Sequence, residues 1–157
     1  MNKYGGEKYP ELGKYQRKRK TSKIEEMFRR EKQIEQAVLE YRNRAGGHTG
    51  GGASGHSFIS DPTAAQAMRA AEEVKVVTLH DGYTVRWPER WLRVIRGTYA
   101  KCPGEARAVK LRSQGYGWAD ACEELNGVCY KTYYSMIDNA YAFAKNAACQ
   151  LGIIKVL

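Results

Sequence analysis

The sequence predicts a mainly α-helical protein: a helical domain ending in a helix-turn-helix, with one small β-hairpin and a flexible basic N-terminal arm. Three observations carry this. Apolar residues recur at helical spacing over residues 24–44 and again after Pro88. One pair of branched- and aromatic-rich runs flanks His80-Asp81-Gly82. From Gln114 to Leu151 the chain reads as a short helix, a Gly-containing turn and a longer helix.

The length of 157 residues suits one domain, or a small domain plus an extended arm. Lys and Arg number 26 against 17 Asp and Glu, a net charge of +9, which favours an anionic partner: nucleic acid or an acidic membrane surface. Cys102, Cys122, Cys129 and Cys149 form no CxxC pair, so neither a zinc ribbon nor a CxxC redox motif is visible and reduced thiols are expected. No run of about 18 apolar residues occurs, and Met-Asn-Lys-Tyr-Gly-Gly-Glu-Lys lacks a signal-type apolar stretch. The expectation is a cytoplasmic protein with no membrane partner.

Residues 1–23 carry Lys3, Lys8, Lys14, Arg17, Lys18, Arg19, Lys20 and Lys23 against Glu7 and Glu11, without apolar periodicity. This reads as a disordered basic arm, serving either phosphate contact or solubility. Over 24–44, Ile24, Met27, Phe28, Ile34, Val38 and Tyr41 share a helical face, with Ser22 and Glu25 as a capping box. Either this helix packs on its own domain or its heptads, broken at Glu31, form a short coiled coil that makes a homodimer. Residues 45–58 hold six glycines and read as a linker. No GKS or GKT follows them, and His48 and His56 lack Cys or acidic neighbours, so neither a phosphate loop nor a metal site is expected.

Residues 59–157 form the expected DNA-binding domain. Ser60-Asp61-Pro62-Thr63 starts a helix running to Glu73. Val74 to Leu79 and Tyr83 to Trp87 make the hairpin, which is either structural or a wing touching DNA through Lys75 and Arg86. Pro88-Glu89 opens a helix with Trp91, Leu92, Ile95 and Tyr99 inward and Arg90, Arg93 and Arg96 outward, ended by Cys102-Pro103-Gly104. Glu105 to Gln114 forms the next, with Ala106, Val109 and Leu111 inward and Arg107, Lys110 and Arg112 available to phosphates.

The helix-turn-helix spans 118–151. Cys122 fills the small site of the first helix and Leu125 the usual Leu site. Asn126-Gly127 makes the turn with Gly127 at positive φ, Val128 plugs the core and Cys129 stands where a Ser cap is common. With Tyr133, Ile137, Ala140 and Ala144 inward, the 3.6-residue period turns Tyr130, Lys131, Tyr134, Ser135 and Asp138 toward a groove. The candidate DNA-binding residues are Tyr130, Lys131, Thr132, Tyr134, Ser135, Arg107, Lys110 and Arg112. Lys131 suits guanine edges or phosphate, and the tyrosine rings suit a thymine methyl. The same tyrosines also fit a core or an interface. The amides of Ala119 and Asp120 could meet a phosphate. The far half of the second helix, with Tyr141, Phe143, Ala147, Ala148 and Leu151, could pack on the Trp91 helix or on a second subunit.

Several of these features together resemble the phage late transcription regulators of the RinA and ArpU type, whose C-terminal domain is similar to region 4 of sigma factors. They are the helix around Ile34 to Tyr41, Ser60-Asp61-Pro62-Thr63-Ala64 after a Gly-rich link, Trp87-Pro88-Glu89-Arg90-Trp91-Leu92-Arg93-Val94-Ile95 and the terminal helix-turn-helix, covering roughly residues 24–157. The resemblance implies a sequence-specific double-stranded DNA-binding activator of late genes, in contact with host RNA polymerase, with Tyr130, Lys131, Tyr134 and Ser135 facing bases. The hairpin and the Tyr-rich second helix depart from that pattern. A DNA-packaging component such as a small terminase subunit also joins a helix-turn-helix to oligomerising helices, and is the alternative. No Ser/His/Asp, Cys/His or paired-carboxylate arrangement can be read at sensible spacing, so neither an enzyme nor a cofactor is expected.

Overall fold

Ser22 opens the first helix, α1 (Lys23–Arg29), by accepting the amide of Glu25 at 3.2 Å. Glu25 does not complete a capping box; its carboxylate accepts instead from Arg112 Nε at 2.8 Å. The single helix expected over 24–44 is interrupted at Arg30, whose φ of −95° and ψ of 7° leave the helical range before α2 (Glu31–Arg44) resumes. At this break the Arg30 guanidinium reaches sideways to Glu26 and Asp81 and lies 4.3 Å over the Tyr83 ring. The computed structural model describes residues 22–44, 67 and 71–155. The N-terminal basic segment, the Gly-rich stretch and the helix start at Ser60-Asp61-Pro62 lie outside those residues.

Ile24, Met27, Phe28, Ile34 and Val38 are buried. α1 packs on three later helices of the same chain and α2 on one of them, so the apolar face is covered within the domain. Tyr41 departs from that face: it is 54% exposed, beside Leu39 at 52%.

The hairpin forms where branched residues flank His80-Asp81-Gly82. Strands β1 (Val76–Thr78) and β2 (Thr84–Arg86) pair antiparallel, with Val77 opposite Val85 and both buried. Gly82 takes a φ of +82°, the left-handed position of a three-residue hairpin loop, and Asp81 Oδ1 accepts the Tyr83 amide at 3.0 Å. Two strands alone are marginal, and this pair leans on α2 through β1.

Trp87 lies in the left-handed region, at φ 56° and ψ 52°, and α3 (Pro88–Lys101) begins immediately after it. Its amide bonds the Lys75 carbonyl at 2.7 Å, and the Arg90 guanidinium covers its ring at 4.3 Å. Trp91, Leu92 and Ile95 are buried as expected, and Val94 and Thr98 join them. The outward arginines are engaged by carboxylates. Arg90 grips both oxygens of Glu73 at 2.8 and 2.7 Å, Arg93 shares Glu73 at 2.9 Å, and Arg96 pairs with Glu35 at 2.7 Å.

Helix α4 (Pro103–Ser113) buries Ala106, Ala108 and Val109, with Leu111 only half-buried. A short α5 (Trp118–Glu124) and the 21-residue α6 (Tyr130–Gln150) complete the chain. α6 is the central element: α3 and α4 pack along it, while α5 and α1 also touch it. Its inward row is Tyr133, Ile137, Ala140, Ala144 and Ala148, where the alanines let neighbouring helices approach closely. The far half of α6 is covered within the chain: Tyr141 packs against Phe28, and the Leu151 carbonyl accepts from Arg90 at 2.8 Å. No described helix is long and apolar enough to cross a membrane.

Burial raises the pKa of Tyr99, reinforced by Glu31, that of Tyr141, reinforced by Glu25, and that of Tyr133. These tyrosines must stay protonated in the fold, whereas unfolded tyrosines ionise near pH 10. Their contribution is therefore complete below about pH 10 and is lost as pH rises above it. The thermal midpoint should fall between about pH 9 and about pH 11, and Tyr141→Phe should make that fall shallower. An unchanged alkaline slope in Tyr141→Phe would show that Tyr141 does not carry this linkage.

Candidate nucleic-acid interface

The connection from α5 to α6 is built by backbone geometry. The amide of Asn126 bonds the Glu123 carbonyl at 3.1 Å and that of Gly127 bonds the Cys122 carbonyl at 2.9 Å, a Schellman ending for α5. The ends of α4 at Gly115 and of α6 at Gly152 have the same pattern. At the α5 end, Asn126 as well as Gly127 has positive φ, 62° and 74°, so the left-handed cap falls on Asn126 and the glycine prolongs it. Cys122 and Leu125 are buried beneath this turn, while Val128 is half-buried.

Cys129 occupies the N-cap of α6 but makes no side-chain cap bond. Its sulfur lies 3.1 Å from the Thr132 hydroxyl, which holds the thiol below the usual cysteine pKa, while burial pushes Cys122 up. All four cysteines are free thiols.

The rotation of α6 about its axis follows from its buried row. Tyr133 is 1% exposed and Ile137 2%, so Lys131, Thr132, Ser135 and Asp138 are turned to the surface, whereas Tyr130 lies on the row of Tyr133 and Ile137 and is exposed at the helix's first residue. Tyr134 is intermediate: its ring lies 4.6 Å from Tyr130 and 5.2 Å from Tyr133. The aromatic row continues onto α5, where Trp118 meets Tyr130 edge-on at 5.3 Å. Trp118 and Tyr130 are each 48% exposed. Trp118 was absent from the expected site; the signal that could have found it is an aromatic at the first helical position after Gly117, one helix away from a Tyr in the same position of α6.

The three α4 candidates divide. Arg107 is exposed. The Lys110 ammonium sits 4.4 Å over the Tyr99 ring, directed at α3 rather than at the start of α6. Arg112 is engaged by Glu25, and its guanidinium lies 5.8 Å over Tyr134. Burial opposes its charge and the Glu25 carboxylate more than offsets this, so its pKa is raised. Arg112 therefore braces α6 against α1 and α4, and a phosphate could engage it only by displacing Glu25.

Electrostatics set a further limit. From residue 114 onward, Lys131, Lys145 and Lys155 face Asp120, Glu123, Glu124 and Asp138, so α5 and α6 by themselves do not attract a polyanion. Asp120 Oδ2 lies 3.4 Å from where a Cβ on Gly117 would sit, which puts an acid at the α5 N-terminus, whose amides could otherwise meet a phosphate. Among the described residues, Arg107, Lys131, Lys32, Lys75, Arg86 and Lys101 are exposed cations able to supply attraction, beside the basic residues preceding α1. The chain matches no protein-family model, no curated protein and no solved structure.

Gly127→Ala should cost roughly 1–2 kcal/mol of unfolding free energy, since alanine resists positive φ. Asn126→Gly should leave stability equal or higher. Urea titration followed by tryptophan fluorescence distinguishes these, and equal losses in both would exclude left-handed strain as the constraint on the turn.

Proposed function

We propose that this chain binds double-stranded DNA in a sequence-specific manner and regulates transcription, with α5, its turn and α6 acting as a helix-turn-helix. The observation that carries this reading is the rotational setting of α6. Its first turns expose Lys131, Thr132 and Ser135 as a contiguous strip opposite Tyr133 and Ile137, with Tyr130 exposed at the helix's first residue on the same row as Tyr133 and Ile137. A helix about to enter a major groove needs such a free strip at its N-terminal end, supported from behind by packed side chains.

In this reading Lys131 donates to guanine or phosphate, Ser135 and the Tyr130 hydroxyl reach base edges, and the Thr132 hydroxyl holds the Cys129 sulfur beside them. The basic residues preceding α1 and Arg107 supply phosphate affinity that α5 and α6 lack. Arg112 and Lys110 act on the fold behind the reading face. By its resemblance to the RinA and ArpU type, the target would be late genes of a bacteriophage or prophage in the bacterial cytoplasm, with host RNA polymerase as partner.

Lys131 and Ser135 are both exposed, so Lys131→Ala with Ser135→Ala is the clean test. Against a duplex selected from random DNA, the double variant should lose roughly tenfold or more in affinity, the discrimination of one good base contact, with its thermal midpoint unchanged. Unaltered affinity would remove this face from the interface. A ring-shaped assembly in solution, read by mass, would instead favour the DNA-packaging alternative.

A further inference from the structure

Given the DNA-binding reading, on which this inference rests, the chemistry of the exposed strip limits which bases it can select. Guanine is read in the major groove by Arg or Lys, and adenine by the paired donor and acceptor of Asn or Gln. From Tyr130 through Asp138 the helix has no Arg, Asn or Gln, and Lys131 is its only cation. What it presents instead is aromatic surface. Tyr130 is nearly half exposed, yet its ring is held on both sides, edge-on to Trp118 at 5.3 Å and tilted against Tyr134 at 4.6 Å. Tyr134 is backed in turn by Tyr133 and by the Arg112 guanidinium.

A braced ring loses little conformational freedom on binding, which is what a weak apolar contact needs in order to count. The apolar group that a major groove offers is the C5 methyl of thymine. We propose that Trp118, Tyr130 and Tyr134 form a methyl-reading edge, so that the bound site is defined by thymines facing Tyr130, with Trp118 as the positioning residue that fixes its ring. The hydroxyl of Tyr130 is not required for this; the ring is.

The test uses the full chain and a duplex enriched from random DNA, in which each thymine is replaced singly by uracil, removing only the methyl. At one or two positions uracil should weaken binding about fourfold, the worth of one buried carbon group. Tyr130→Phe should keep that thymine preference and Tyr130→Ala should abolish it. Trp118→Ala should reduce the preference while circular dichroism and the thermal midpoint show the fold retained, and Trp118→Phe should restore part of it. Enrichment of a specific duplex that is indifferent to uracil at every position overturns the methyl-reading edge and leaves DNA binding standing. Failure to enrich any duplex overturns both.

Discussion

The fold depends on the burial of one row of α6. Tyr133, Ile137, Ala140, Ala144 and Ala148 are all within 2% of full burial, and they are spaced so that one side of a 21-residue helix is filled along most of its length. Alanine at three of the five positions lets α3 and α4 close on the helix, and each contact removes a degree of freedom from its rotation. With the rotation set, the side chains at 131, 135 and 138 have nowhere to go but the surface, while Tyr130 extends the buried row to the helix's exposed first residue. The helix is supported from behind by Arg112, which joins Glu25 of α1 to Tyr134.

Ion pairing shapes what the surface can do. Arg30, Arg42, Arg90, Arg93, Arg96 and Arg112 each meet a carboxylate, so the positive charge in the helical body is largely neutralised in place. Exposed pairs of this kind add little stability, but they do fix side chains that would otherwise be free to search for phosphates. Of the net charge of +9, five lie before α1, where seven Lys and Arg meet two Glu, and four lie in the rest of the chain.

Much of this was legible from local patterns. The Pro88 helix start, the loop at His80-Asp81-Gly82 and the inward set of α6 all follow from spacing and turn chemistry within a few residues. What escaped was set by distant partners. The break at Arg30 coincides with a bond to Asp81, 51 residues away, and Arg112 looked free on its helix until Glu25, 87 residues away, reached it. Helical periodicity assigns faces but not the neighbours that fill them. Tyr41 likewise falls on the apolar face by periodicity yet is exposed, with no covering element among the described residues, and Trp118 gains an aromatic partner from the next helix.

The most direct test of the account is an amide chemical-shift map of the full chain titrated with an enriched duplex. The account predicts that the largest changes fall on residues 118 and 130–135, followed by Arg107, with the amides of α2 and the hairpin nearly still. Changes centred instead on Leu39, Tyr41 and Val76, while α6 stays silent, would contradict it.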